Sequence, residues 1–151
     1  MQVTDFLQPG DVLVDLDAQT KLRALQLLSR RAATALGVSE QAIFDPLYAR
    51  EKLGSTGLGE GAAIPHTRVA GLEKPFGLLA RLMKPIDFEA IDEMPVDILF
   101  LLLLPAAGGK DHLNVLAAVA RQLRSPDMLK KLRHADSADE LYVAIAGLPP
   151  A

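Results

Sequence analysis

The sequence predicts an α/β domain with its sheet covered on both faces. Two observations carry this. Strand-like apolar segments alternate with longer amphipathic segments along the chain. The most apolar run, Val96 to Leu104, is nine residues broken only by Asp97 and bounded by Pro95 and Pro105. A buried helix has similar periodicity, but this length and these prolines favour a strand buried on both faces. The chain has 151 residues, 50% hydrophobic and 23% charged. That is one globular domain, not two, and not a disordered chain.

Each element follows from local chemistry. Val12, Leu13, Val14 and Leu16 make a short first strand after a Pro9-Gly10 turn. Thr20 to Leu36 reads as a helix, with Leu22, Leu25, Leu28, Ala32 and Leu36 on one stripe and Gly37 as its stop. Ser39 caps a second helical stretch. Pro46 lies inside it and cannot donate to residue 42, so the spacing predicts a kink, or a fresh start with Asp45 as cap. Residues 54–62 contain four glycines and read as a loop. Phe76 to Met83 and Val96 to Leu104 are the two best strands. Three helical pieces follow: Asp111 to Leu123, one opened by Ser125-Pro126-Asp127, and one opened by a Ser137-Ala138-Asp139-Glu140 capping box and ended at Gly147.

Composition removes several function classes. The net charge is −3, which disfavours a non-specific nucleic-acid binder. There are no cysteines, hence no disulfide, thiolate zinc site, iron–sulfur cluster or cysteine nucleophile, and the composition suits a reducing cytosol. The N-terminus lacks a basic n-region and contains Asp5, so no signal peptide is expected. The longest apolar run is too short for membrane insertion, which needs roughly 20 residues.

The candidate chemistry centres on the three histidines, the only side chains that ordinarily titrate near neutrality. His134 ends a predicted helix and reads as a C-terminal cation. His66 ends the segment Gly54-Ser55-Thr56-Gly57-Leu58-Gly59-Glu60-Gly61-Ala62-Ala63-Ile64-Pro65-His66. Pro65 pushes Ile64 into an extended conformation, so the histidine closes an extended stretch. The glycines before it let backbone N–H groups approach an anion, and Ser55 and Thr56 add hydroxyls. That suits a phosphorylated histidine, and it suits equally a plain surface loop. The loop is neither a Walker A loop nor a dinucleotide fingerprint. His112 opens a predicted helix, where free N–H groups favour an anion, although a solvated polar residue is the simpler reading. Arg50 and Glu51 precede the loop. Arg50 can reach a phosphate bidentately or form an exposed ion pair. Asp87, Glu89, Asp92, Glu93 and Asp97 read as solvated loop residues, with no pair selected for glycosidase chemistry.

Taken together, these residues resemble a known family. The segment Gly54 to His66 looks like the active-site signature of the type-2 IIA domains of the bacterial phosphoenolpyruvate-dependent phosphotransferase system, the fructose, mannitol and nitrogen-regulatory group. Arg50-Glu51 fits the same pattern, as do Ile86 to Asp92, Pro95 to Leu101, and Asp111-His112-Leu113 with the helix after it. The resemblance covers residues 5–147 and leaves 148–151 as a C-terminal tail. Ile86 to Leu101 and the stand-alone length look most like the nitrogen-regulatory branch.

The resemblance implies a three-layer α/β/α sandwich with a mixed sheet of about five strands. It implies that His66 accepts a phosphoryl group from the phosphohistidine of a histidine phosphocarrier protein. His112 would bond that group, Arg50 would supply charge, and Ser55, Thr56 and Gly57 would bind or position it. Leu58, Ala62, Ile64 and Val69 are candidates for an apolar docking surface. The implied output is regulation of cytoplasmic target proteins, such as potassium transporters or sensor kinases, according to phosphorylation state. No cofactor, metal, nucleic acid or membrane insertion is implied. The alternatives are a sugar-transport IIA that passes phosphate to a IIB component, and a non-catalytic anion-binding module. Two departures stand out: Thr67 follows the histidine where many members have glycine, and Pro46 interrupts a stretch that often has no proline.

Overall fold

The computed structural model describes residues 2–107 and 111–147; the expected tail at 148–151 lies outside them. After a 3-10 turn at Val3–Asp5 come β1 (Leu7–Leu16), α1 (Lys21–Leu36), α2 (Glu40–Leu53), β2 (Gly57–Gly59), β3 (Ala62–Ala63), β4 (His66–Val69), β5 (Phe76–Ile86), β6 (Val96–Pro105), α3 (Asp111–Leu123), α4 (Pro126–His134) and α5 (Ala138–Ala146). The strands form one mixed sheet in the order β1-β5-β6-β3-β2, with β4 also on β6. β1 is parallel to β5, β5 antiparallel to β6, and β3 and β4 both parallel to β6.

The strand β6 is the spine because it is apolar on both faces. Leu99, Leu101 and Leu103 join the core under α1 and α2. Ile98, Phe100, Leu102 and Leu104 join the core under α3, α4 and α5. Alternate side chains of a strand point to opposite faces, so this run of apolar residues needs helices on both sides. The three-layer sandwich follows.

Strands β3 and β4 lie in succession along β6. Ala62 and Ala63 face Ile98 and Leu99, and His66 to Val69 face Leu102 to Pro105. Pro65 between them has no N–H, but its carbonyl accepts from the Leu102 amide at 2.9 Å. The two segments are thus one strand broken at Ile64-Pro65, and His66 sits just past the break.

Several local expectations change. β1 starts at Leu7 and runs through Pro9-Gly10, which fall in the irregularity between the Leu7 and Val12 pairings. At a sheet edge a missing donor and a bulge are tolerated. α2 neither ends nor restarts at Pro46, because Ile43 and Leu47 on either side are fully buried and hold its line. The glycine-rich stretch is not all loop: Gly57 and Gly59 pair with Ala63 and Ala62 in a two-stranded ribbon. The Ser137 cap forms, but Glu140 accepts from the Asp136 amide, one residue before the expected position. Asp97 lies in β6 and is paired with Arg133 at 2.9 Å rather than solvated in a loop.

Gly77 marks the tightest part of the spine. A Cβ there would lie 2.8 and 2.9 Å from the Phe100 ring and 3.2 Å from Phe6. Gly77→Ala is therefore expected to cost about 1–3 kcal/mol through overpacking, read as a lower midpoint in urea unfolding.

Candidate active site

His66 is the first residue of β4 and is partly buried. Its Nδ1 lies 2.7 Å from the Ile64 carbonyl. A carbonyl only accepts, so Nδ1 carries the proton and donates. Nε2 is left with a lone pair. Burial pushes the imidazole below its ordinary value of 6.5; the Ile64 bond and the Glu51 charge oppose this, while Arg50 adds to it. The ring is therefore neutral and nucleophilic at pH 7.

The loop before it is braced from inside. Glu51, in the last turn of α2, is 4% exposed. Lys21 at the start of α1 lies 2.7 Å from its Oε2. The Thr56 hydroxyl donates to Oε1, and the Thr56 amide donates to both carboxylate oxygens at 3.3 and 3.4 Å. Ser55 donates from its hydroxyl to the Phe88 carbonyl and accepts from the Gly57 amide at 3.1 Å. Both hydroxyls and both amides expected to cradle an anion are thus committed within the loop. Ser55, Thr56 and Gly57 shape it.

His66 opens onto two adjoining clefts. One, of about 410 Å³, is also lined by Thr67, Arg68, His112 and Leu113. The other, of about 210 Å³, is lined by Thr56, Leu58 and Arg124 among others. Arg50 and Leu116 wall both. Arg50 donates through Nη1 to the Gly54 carbonyl at 3.0 Å, and forms no ion pair among the described residues. His112 is 7% exposed, and neither of its ring nitrogens has a hydrogen-bond partner among the described residues. The structure thus brings His66, His112, Arg50 and the Thr56 loop together, while His134 lines neither cleft.

The expected docking surface changes. Ala62, Ile64 and Val69 are buried in the sheet, because the broken strand is covered on both faces. Leu58 stays partly exposed, and Leu113 beside His112 is 74% exposed. Thr67 pairs with Leu103 in β4, and its φ is not among the positive ones, so nothing in the backbone there requires glycine. Lys21 and Arg124 reach the site through packing, whereas Arg68 follows His66 by two residues on the same strand and Leu113 follows His112 by one. Of the first two, Lys21 alone had a signal, as an unexplained cation in the first turn of a helix, where the dipole disfavours it.

Comparisons with known proteins place the chain in a family. The family model described as phosphoenolpyruvate-dependent sugar phosphotransferase system, EIIA 2, matches residues 5–147. A nitrogen regulatory protein of Bradyrhizobium diazoefficiens is 50% identical over 151 residues, covering 100% of this chain and 98% of that one. A fructose-specific EIIA component of Haloferax volcanii is 37% identical over 150 residues, covering 97% of each. The crystal structure of nitrogen regulatory protein IIA-Ntr from Neisseria meningitidis superposes with a TM-score of 0.89 at 33% identity, covering 95% of this chain and 98% of that one. No described helix is long and apolar enough to cross a membrane.

Two outcomes are expected. Glu51→Gln leaves the Lys21 ammonium without its counter-charge and costs about 3 kcal/mol, measured by denaturant unfolding. The His66 imidazole titrates below 6.5 in an NMR pH series. Its folded value lies below its unfolded one, so its stability contribution is full above about pH 6.5 and is lost as pH falls through the folded value; His66→Ala removes that pH dependence.

Proposed function

The chain belongs to the phosphoenolpyruvate-dependent sugar phosphotransferase system EIIA 2 family, and within it we propose a phosphohistidine carrier of the nitrogen-regulatory type, residues 5–147 forming the phosphotransfer domain. The observation that carries this is the Nδ1 bond to the Ile64 carbonyl, which leaves Nε2 of His66 as the nucleophile. The donor is a histidine phosphocarrier of the same system. Nε2 attacks the phosphorus of the donor's phosphohistidine, the donor's P–N bond breaks, and its ring nitrogen keeps the electron pair. Nδ1 stays bonded to Ile64, which disperses the charge that develops on the accepting ring.

Phosphoryl transfer leaves little covalent work to the protein, so positioning and charge stabilisation carry it. Arg50 supplies charge, and His112, buried with neither nitrogen partnered among the described residues, supplies a hydrogen bond to the phosphoryl oxygens. Ser55, Thr56 and Gly57 position the loop. Leu58, Leu113 and Leu116 form the apolar rim on which the carrier docks.

The output is regulatory: cytoplasmic targets such as potassium transporters or sensor kinases bind one phosphorylation state. The relatives named nitrogen regulatory protein favour this. The fructose-specific relative supports a second reading, transfer onward to a IIB component of sugar uptake.

Incubation with phosphoenolpyruvate, enzyme I and the carrier is expected to add about 80 Da, one phosphoryl group, to the wild-type intact mass and nothing to His66→Ala. No gain with active partners overturns the carrier reading. Rapid discharge by a fructose-type IIB, with no phosphorylation-dependent binding to targets, selects sugar transport instead.

A further inference from the structure

We propose that Arg124 is a second guanidinium of the phosphoryl site, binding the oxygens of the group carried on His66 from the far end of α3. This rests on the phosphocarrier reading and deepens it.

The geometry comes from one ridge. His112, Leu116, Ala120 and Arg124 follow one another at intervals of four, the spacing of a helix ridge. His112 lines the cleft at one end, Arg124 the cleft at the other, and Leu116 lies opposite His66 in both. The Arg124 amide donates to the Ala120 carbonyl at 2.9 Å, so helical geometry carries through to its backbone although α3 ends at Leu123.

The chemistry comes from counting donors. A phosphoryl group brings up to about two negative charges and three acceptor oxygens. The Ser55 and Thr56 hydroxyls and the Thr56 and Gly57 amides are bonded inside the loop. Arg50 gives one nitrogen to Gly54. Among the described side chains of the smaller cleft, the donors left are the remaining N–H groups of Arg50 and the guanidinium of Arg124. Most other arginines are committed: Arg81 to the carbonyls that end α4, Arg133 to Asp97, Arg30 to Glu40, and Arg31 to the Gly10 carbonyl. The guanidinium of Arg124 has neither hydrogen bond nor ion pair among the described residues. Arg124 is exposed, as Arg121 is, but it alone of the two lines a cleft onto which His66 opens, and a cation there with no partner among the described residues fits an anion that arrives by reaction.

The test compares wild type, Arg124→Ala, Arg124→Lys and Arg121→Ala. The last removes the same charge from an exposed position of the same helix that lines neither cleft. Single-turnover loading from the carrier is followed over a range of carrier concentrations, together with spontaneous loss of the phosphoryl group from the isolated protein. Arg124→Ala is expected to lower the loading rate at saturating carrier about tenfold, the worth of a charge-assisted hydrogen bond. Arg124→Lys recovers part, and Arg121→Ala matches wild type. In wild type, the Arg124 guanidinium resonances shift on phosphorylation and those of Arg121 do not, which decides the matter even if Arg124→Ala misfolds. Rates for Arg124→Ala equal to those of Arg121→Ala, with no resonance shift, overturn the proposal. An effect on half-saturation alone also overturns it, because Arg124 then contacts the docked carrier. A wild type that takes no phosphoryl group removes both this and the carrier reading; a phosphorylated wild type without an Arg124 response removes this alone.

Discussion

Glu51 ties together three segments that have little other reason to meet: the first turn of α1 through Lys21, the last turn of α2 to which it belongs, and the glycine-rich loop through Thr56. A carboxylate taken out of water costs several kcal/mol unless charge and hydrogen bonds replace its hydration. Here an ammonium, a hydroxyl and an amide do so. The loop needs such an anchor, because a chain with glycine at 54, 57, 59 and 61 loses much backbone entropy on ordering and offers few side chains to pack. Arg50 and Glu51 are neighbours, and successive residues of a helix point about 100° apart. The same turn of α2 therefore delivers the buried brace on one side and the guanidinium of the two clefts on the other.

The second constraint is the broken strand. A continuous strand along β6 would place residue 64 in the ladder, with its carbonyl facing a neighbouring amide. Instead the Ile64 amide donates to the Thr56 carbonyl at 3.1 Å, tying the strand back to the loop, and the Ile64 carbonyl accepts from His66. Pro65 prevents the ladder from closing here, while its own carbonyl keeps the strand attached to Leu102. Orientation of the imidazole is thus a by-product of how the sheet accommodates a proline. Thr56 completes the circuit, since the residue held by Glu51 is also the one that holds Ile64.

What the sequence makes legible follows the range of the forces involved. β5, β6 and the capped helices are readable because periodicity, prolines and Ser or Thr caps act within a few residues. The ribbon of β2 and β3 is not, because Gly57-Leu58-Gly59 has no strand propensity and pairs only because β6 offers Ala62 and Ala63 a neighbour. The fresh start expected at Pro46 does not occur for the converse reason: its local cost is outweighed by the buried Ile43 and Leu47. At the site, the His66 motif is legible as a run of residues, and Arg50, His112 and Thr56 follow through family resemblance. The direction in which the Ser55 and Thr56 hydroxyls point is a tertiary fact. So is the arrival beside His66 of Arg124, a cation that sequence patterning cannot tell from solvated surface.

The charge of the chain and the charge of the site point in opposite directions. The protein carries a net −3, yet the described residues lining the two clefts include Arg50, Arg68 and Arg124, with no aspartate or glutamate among them. Arg50 is partly buried and Arg68 and Arg124 are exposed, so Arg50 acts on Nε2 through less water than the other two, whose charges salt screens. Burial first and Arg50 after it disfavour protonation of His66; Arg50 favours its phosphorylation, because one modification adds positive charge and the other adds negative charge. Under the phosphocarrier reading, loading the histidine cancels most of that local charge without moving the apolar rim. A partner that docks on Leu113 then meets one shape with two electrostatic faces. Under that reading, a charge on the partner opposite His66 is enough to discriminate between the two states.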